Sequence, residues 1–495
     1  MNPSSDRRTA TTTTLLGVTG AFTGAALVYL LKPPVGQLPI EAIMLVGAAV
    51  GAAGLISVGK EVQAGEGSRT LALALNAFVL MFSYYLLRVV RETLILTESG
   101  AEIKTYSSAW QALLLMAAVP AYGAFAARVN RISLITYVTL FFVANLVLFA
   151  AGGFLGLREG VVFFVWVGIF NMMVMAQFWA FANDLHSEGA GKRLFAAIML
   201  GANLGATFGG QAAKWMSEPL GSYGLMLIAA GLLAVCIPIS RKINARAVAV
   251  QRVAEIPLGD VNVFQIMAKD RYLQMIALLM ILLNFVNTTG EYLLGGFVAG
   301  EAARIAAGNE ALQKVIVSQF YGDYSSLYSL LGMVLQLFLV SRIFRHASVG
   351  AALMILPLIA LTGYSMILAV PLLGMIRWVK IFENGTDYSI QNTARQALFL
   401  PTTREAKYKA KAAIDSFFVR MGDVFSAGLV YVGVNWVVLG VKGFAAANLI
   451  LTLAWLGVAF AVAREYRRRT RLPGPVATPP PMSVAPTGAN QGAVA

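Results

Sequence analysis

Apolar stretches of about 20 residues recur along nearly the whole chain, and this spacing constrains the fold more than any motif does. A helix rises about 1.5 Å per residue, so about 20 residues cross the roughly 30 Å of hydrocarbon in a bilayer. Hydrophobic residues make up 58% of the 495 positions and charged residues 13%, at a mean hydropathy of +0.71. A water-soluble fold has no interior large enough to hide that much apolar surface. The expectation is an all-α polytopic membrane protein in which each helix satisfies its own backbone polar groups.

A pair of spans near 13 to 31 and 39 to 58 comes first, closed by Lys60 and a polar connector to Arg69. The first stretch follows Arg7 and Arg8 as a secretory signal core would. It is longer than such a core and has no small-residue cleavage site, so it reads as a retained helix. Residues 1–68 are therefore expected to form an amino-terminal tail and an accessory transmembrane hairpin. Six spans near 70–90, 108–127, 133–153, 161–183, 194–214 and 221–240 make a first bundle, 69–240. A basic segment broken by Pro257, 241–271, reads as a linker. Six further spans near 272–293, 321–341, 347–366, 369–398, 412–435 and 442–463 make a second bundle, 272–466. The Pro- and Ala-rich tail, 467–495, has no apolar periodicity and is expected to be disordered.

The net charge of +14 does not point to nucleic acid, because the Lys and Arg residues sit in short loops rather than on one patch. Placing loops alternately on two sides gathers Arg128, Arg131, Lys192, Arg193, the linker, Arg342, Arg345, Arg404 to Lys411 and Arg464 to Arg471 on one face. We call it the basic face, and the positive-inside rule makes it cytoplasmic, with both termini there. Cys236 is the only cysteine, so the chain has no internal disulfide and no Cys-based metal site. His186 and His346 lie apart at loop edges, and there is no Walker A, HExxH or CxxC motif. An enzyme is not expected, nor are a metal or a cofactor. Oligomeric state has no signature here.

Charges inside spans are costly and usually face a bundle interior or a water-filled cavity. In YYLLRVVRETLIL, Arg88 and Arg91 stand three residues apart, placed to grip an anion from one helical face. Snorkelling toward lipid phosphates is the alternative use. Gln177, Trp179 and Asn183 in NMMVMAQFWAFAND are suited to orienting a planar polar ligand, or to interhelical hydrogen bonds. Asn203 lies in GANLGATFGG, whose glycines permit close helix packing. NFVNTTGEYLLGG gathers Asn287 and Glu291 around Gly290, where local unwinding is expected. The densest polar run interrupts the span at 369–398 with Arg377, Lys380, Glu383, Asp387, Tyr388 and Arg395, and Lys409, Lys411 and Asp415 follow. These residues make either a substrate site or a structural ion-pair network.

LRVVRETLIL with SGAEIKTY, FWAFAND with KRLFAAIMLGAN, and DYSIQNTARQALFLPTTREAKYKAKAAID together resemble the ATP/ADP translocases of intracellular bacteria and plastids. The resemblance runs from about Arg69 to Arg464. It implies two six-helix bundles of major-facilitator type, alternating access, and a bacterial cell-membrane location. The implied substrate is a nucleotide or related phosphorylated anion recognised by basic residues. Lys409, Lys411 and Asp415 match the family motif directly. Arg91 and Arg395 stand where the family tends to have lysines, Gln177 where it has an acidic residue, and Asn287 where it has a glutamate. The alternatives are another organic anion or a proton-coupled solute on the same fold, or a non-transporting membrane scaffold.

Overall fold

The computed structural model describes residues 46–47, 49–50, 67–126, 129–185, 188–245, 263–403 and 406–471. The expected accessory hairpin lies outside these residues except for 46–47 and 49–50, which are helical, and so does the tail from Leu472 onward. The described chain is helical nearly throughout, with no strand among the described residues. The first bundle comprises α1 (Gly67–Glu98), α2 (Gly100–Ala126), α3 (Arg131–Phe154), α4 (Gly160–Asp184) and α5 (Glu188–Ala245). A short α6 (Val263–Lys269) precedes the second bundle. That bundle begins with α7 (Arg271–Ala306) and α8 (Glu310–Val334), which runs through a π-helical turn into α9 (Ser341–His346). It continues with α10 (Val349–Ala369), α11 (Leu373–Thr386), α12 (Asn392–Ala397), α13 (Lys411–Ala413), α14 (Val419–Asn435) and α15 (Val441–Arg471).

Among the described residues, nine helices are long and apolar enough to cross a membrane. The α5 helix covers two expected spans. After Pro219 the chain turns at Gly221 with φ +65°, a backbone region that only glycine adopts without strain, and then resumes the helix. The polar span at 369–398 is built from α11, a π-helical turn over Asp387–Gln391, and α12. Such turns re-aim side chains and concentrate at functional sites.

The first bundle is drawn together by glycine. A Cβ on Gly201, Gly205 or Gly209 would lie 2.3, 2.3 or 2.6 Å from the carbonyl oxygens of Ala74, Phe78 and Phe82, so α1 and α5 meet backbone to backbone. The bundles meet where α8 packs on α5 and α1, and where α14 and α7 pack on α2. Away from the basic face, Lys314 Nζ lies 3.8 Å from Glu98 and 5.9 Å above the Tyr223 ring, tying the two bundles together. Glu98 also accepts the first N–H of α4, from Gly160, at 2.8 Å. In the preceding loop, burial and the nearby Glu98 carboxylate push the Glu159 carboxyl above its ordinary range.

Three expectations change. The α7 helix is continuous through Gly290 rather than unwound: Tyr364 Oη and Lys380 pack where a side chain would stand, 2.1 and 3.1 Å from an added Cβ. The linker begins later than residue 241, because α5 runs on to Ala245, and residues 263–269 are helical. The disordered tail does not begin at 467. Arg469 holds the last turns of α15 by donating to Asp270 at 2.7 and 3.0 Å and covering the Tyr272 ring at 4.6 Å.

Candidate functional site

Three residues of α1 share the seam between the bundles but use it differently. Glu92, 4% exposed, pairs with Arg91 and with Lys104 of α2, whose Nζ is 2.7 Å away. The Arg91 guanidinium lies 4.5 Å above the Phe164 ring of α4, so it belongs to the first bundle. Arg88 points the other way, 5.6 Å from the Tyr85 ring and 5.2 Å from the Tyr328 ring of α8, and donates to Tyr388 Oη at 3.4 Å. The Tyr328 and Tyr388 rings stack at 5.7 Å and 20°. Among the described residues, Arg88 has aromatic partners and no carboxylate in an ion pair. It is a guanidinium held in place by rings, with donors left for an anion.

Opposite it, α7 presents Asn287 and Glu291 one turn apart, and α11 presents Lys380 and Glu383 in the same way. Lys380 is fully buried and donates to Asn287 Oδ1 at 2.7 Å and to Glu383 Oε2 at 2.9 Å, with Glu291 at 3.6 Å. An unpaired ammonium here would cost several kcal/mol, roughly, and these acceptors offset that cost. Glu291 accepts from Tyr324 Oη at 2.8 Å and Asn384 Nδ2 at 3.1 Å. A small cavity spans the seam, lined by Arg88, Glu92, Glu291, Tyr321, Tyr324 and Ser325. On α8, Asp323 faces away from this cavity to accept from Lys214 at 2.9 Å, with Arg377 at 3.7 Å.

Toward the basic face the second bundle carries Tyr388, half exposed, and then a looser cluster. Arg395 donates to Asn392 at 2.9 Å and lies 3.9 Å from Asp415, which Lys411 approaches to 3.7 Å. Lys409 is partly buried one helical turn before Ala413.

The structure therefore brings Arg88 and Tyr388 together, places Asn287 and Glu291 across the seam from them, and clusters Arg395, Lys411 and Asp415. It does not join Arg91 to Arg88. Trp179 packs edge-on against Phe178 and Phe195 at 5.4 and 5.9 Å, and Gln177 is buried with Nε2 lacking a hydrogen-bond partner among the described residues. Asn183 is exposed, and Asn203 is partly buried with its carbonyl accepting from Thr207. No hydrogen bond or ring contact among the described residues links these four to Arg88 or Lys380. Sequence reasoning missed Glu92, Lys104, Tyr321, Tyr324 and Asn384 as site residues, and named Lys380 and Glu383 only as part of a polar run. A carboxylate inside LRVVRE and tyrosines at three- and four-residue spacing in FYGDYSSLY were the available signals.

Two helical bundles with a polar cavity in the seam define a transporter fold of the major-facilitator kind, and solved structures share it. One is a POT family transporter in complex with 5-aminolevulinic acid, at TM-score 0.59, 13% identity, 81% of this chain and 96% of that one. Another is the nucleoside transporter NupG, at TM-score 0.55, 13% identity, 81% and 99%. The TLC ATP/ADP transporter family model matches residues 60–153 and 333–466. ADP,ATP carrier protein 2 of Chlamydia pneumoniae is 21% identical, covering 82% of this chain and 90% of the relative. The plastidic ATP/ADP-transporter of Solanum tuberosum is 23% identical, covering 80% and 73%. The family model and these relatives support an ATP/ADP translocase family for this chain, a multi-pass membrane protein.

Proposed function

We propose that the protein is a secondary transporter that carries an ATP- or ADP-like nucleotide through the seam between its bundles, by exchange. The observation that carries this reading is Arg88, a guanidinium at the seam with ring partners and no paired carboxylate among the described residues. A nucleotide needs both kinds of group at once. Phosphate oxygens take charge-assisted hydrogen bonds from Arg88, and the half-exposed Tyr388 ring, stacked on Tyr328, offers the base an aromatic face. Arg395, Lys409 and Lys411 supply a cationic approach from the basic face.

In this reading residues 69–240 and 272–466 are the moving halves, and alternating access rocks one against the other. The inter-bundle contact of Lys314 with Glu98 closes the face away from the basic loops. The site then opens toward the basic face, which is the cytoplasmic side of a bacterial cell membrane, with both termini there.

Counterflow of labelled ADP or ATP in proteoliposomes holding the full chain tests the function. Saturable uptake that depends on nucleotide inside the vesicle is the expected result. Flux equal to that of empty vesicles for every nucleotide and phosphorylated metabolite tried would remove the reading.

A further inference from the structure

A second small pocket lies within the second bundle, walled by Asn287, Glu383, Asp387 and Trp455 with the aliphatic Leu283 and Leu356. Two polar atoms on its lining side chains, Glu383 Oε1 and Trp455 Nε1, make no hydrogen bond among the described residues. The two residues are only 5% and 2% exposed. Asp387 stands one helical turn beyond Glu383, at the start of the π-helical turn, and its carboxylate has no hydrogen bond or ion pair among the described residues.

The groups facing these two acids come from every helix packed around them. Lys380 is on α11, Glu291 on α7 and Tyr324 on α8. Tyr364 on α10 donates to Glu383 Oε2 at 3.4 Å, and Arg395 on α12 lies within electrostatic range of Asp387. The α15 helix adds Trp455 and Asn448, both uncharged. Lys380 thus pairs with two of the three carboxylates, Glu383 and Glu291, and Asp387 faces Arg395 and Lys380 only at longer range.

We propose that the Glu383–Asp387 pocket is a proton site that couples substrate movement to proton movement. A buried excess of negative charge is unfavourable unless it is neutralised, and a proton is the smallest ligand that does so. A metal cation is poorly served here, because Lys380 already holds Glu383 Oε2 at 2.9 Å. Lys380 also links the two cavities, since it contacts Glu383, which lines this pocket, and Glu291, which lines the Arg88 cavity. A polyanion arriving beside Arg88 adds negative charge to this region, and uptake of one proton offsets it. Proton and anion then travel together. The step is the forming of one O–H bond at a carboxylate on one face and its breaking on the other, with water as proton donor and acceptor.

The inference rests on the nucleotide reading, and the test separates the two. Proteoliposomes of the full chain carry a lumenal pH dye, and labelled ADP or ATP is presented with an imposed pH gradient. Proton and nucleotide entering together allow net uptake beside exchange, and at one proton per nucleotide one pH unit then drives about tenfold accumulation, with acidification of the lumen. Asp387→Asn is expected to abolish that accumulation while counterflow continues, and Glu383→Gln to abolish the accumulation. Trp455→Phe, which keeps an aromatic ring, is the milder variant and is expected to shift the pH of half-maximal accumulation. Robust counterflow with a silent dye, or accumulation that follows a Na⁺ gradient instead, overturns the proton site and leaves the nucleotide reading standing. Wild-type accumulation and pH profile unchanged in all three variants also overturns it. Absence of wild-type counterflow overturns both.

Discussion

At mid-height the two bundles carry opposite charge. In the first, Arg88, Arg91 and Lys104 stand beside one carboxylate, Glu92; in the second, Lys380 stands among Glu291, Glu383 and Asp387. The excess is handled differently on each side. Arg91 and Lys104 are both engaged by Glu92, so the surplus cation of the first bundle is concentrated on Arg88, at the seam. The surplus acid of the second bundle is turned inward around Lys380. Buried charge by itself is therefore no guide to substrate contact. A cation with carboxylate partners builds the fold, and a cation with aromatic partners is available to an anion.

The largest expected effect follows from that distinction. Lys380→Met leaves buried carboxylates without their counter-charge and should destabilise the protein by about 3–5 kcal/mol, read as a fall in thermal unfolding temperature in detergent. Adding Glu383→Gln should recover part of it. If Lys380→Met weakened nucleotide binding and left unfolding unchanged, Lys380 would be a substrate ligand and the contrast between the bundles would break.

Arg88→Ala should do the reverse. Loss of hydrogen bonds to a charged group is worth about 1.5–3 kcal/mol, or roughly 10- to 100-fold in nucleotide affinity, with little change in unfolding temperature. Arg91→Ala sharpens the comparison, since Glu92 keeps Lys104 and the nucleotide does not lose a ligand. A modest loss of stability and near-normal counterflow are expected. Tyr388→Ala removes a stacking face and should weaken binding by about 0.5–1.5 kcal/mol, whereas Tyr388→Phe should retain most of it.

Much of this arrangement was legible in the sequence, though unevenly. Hydropathy located the spans because a bilayer leaves little choice of backbone structure. The run from Arg377 to Arg395 stood out because charge at that density is intolerable against lipid. What sequence could not supply was partnering. Three-residue spacing put Arg88 and Arg91 on similar faces, yet Glu92, next in the chain, draws Arg91 into the first bundle through Lys104 of another helix. Trp179 has a tertiary partner of the same kind: Phe195, on the neighbouring α5, packs edge-on against its indole. Gly290 read as a break, but its missing side chain is room for Tyr364 and Lys380, which arrive from distant positions. Pairings across helices are tertiary facts, and spacing within one helix does not encode them.

The smallest expected effect concerns the cluster nearer the basic face. Lys411 is 30% exposed and lies 3.7 Å from Asp415, which also serves Arg395, so its charge is partly answered before substrate arrives. Partly exposed pairs of this kind contribute about 1 kcal/mol or less. Lys411→Ala should therefore reduce nucleotide uptake by no more than about fivefold at low salt. Because a charge in contact with water is screened over about 10 Å at 0.1 M salt, that loss should shrink as ionic strength rises. The Arg88→Ala loss should persist, since Arg88 is enclosed by rings. A salt series on both variants distinguishes an approach path from a binding site. Should Lys411→Ala prove as damaging as Arg88→Ala at every ionic strength, the phosphates rest on the basic-face cluster, and Arg88 serves to hold the bundles in register.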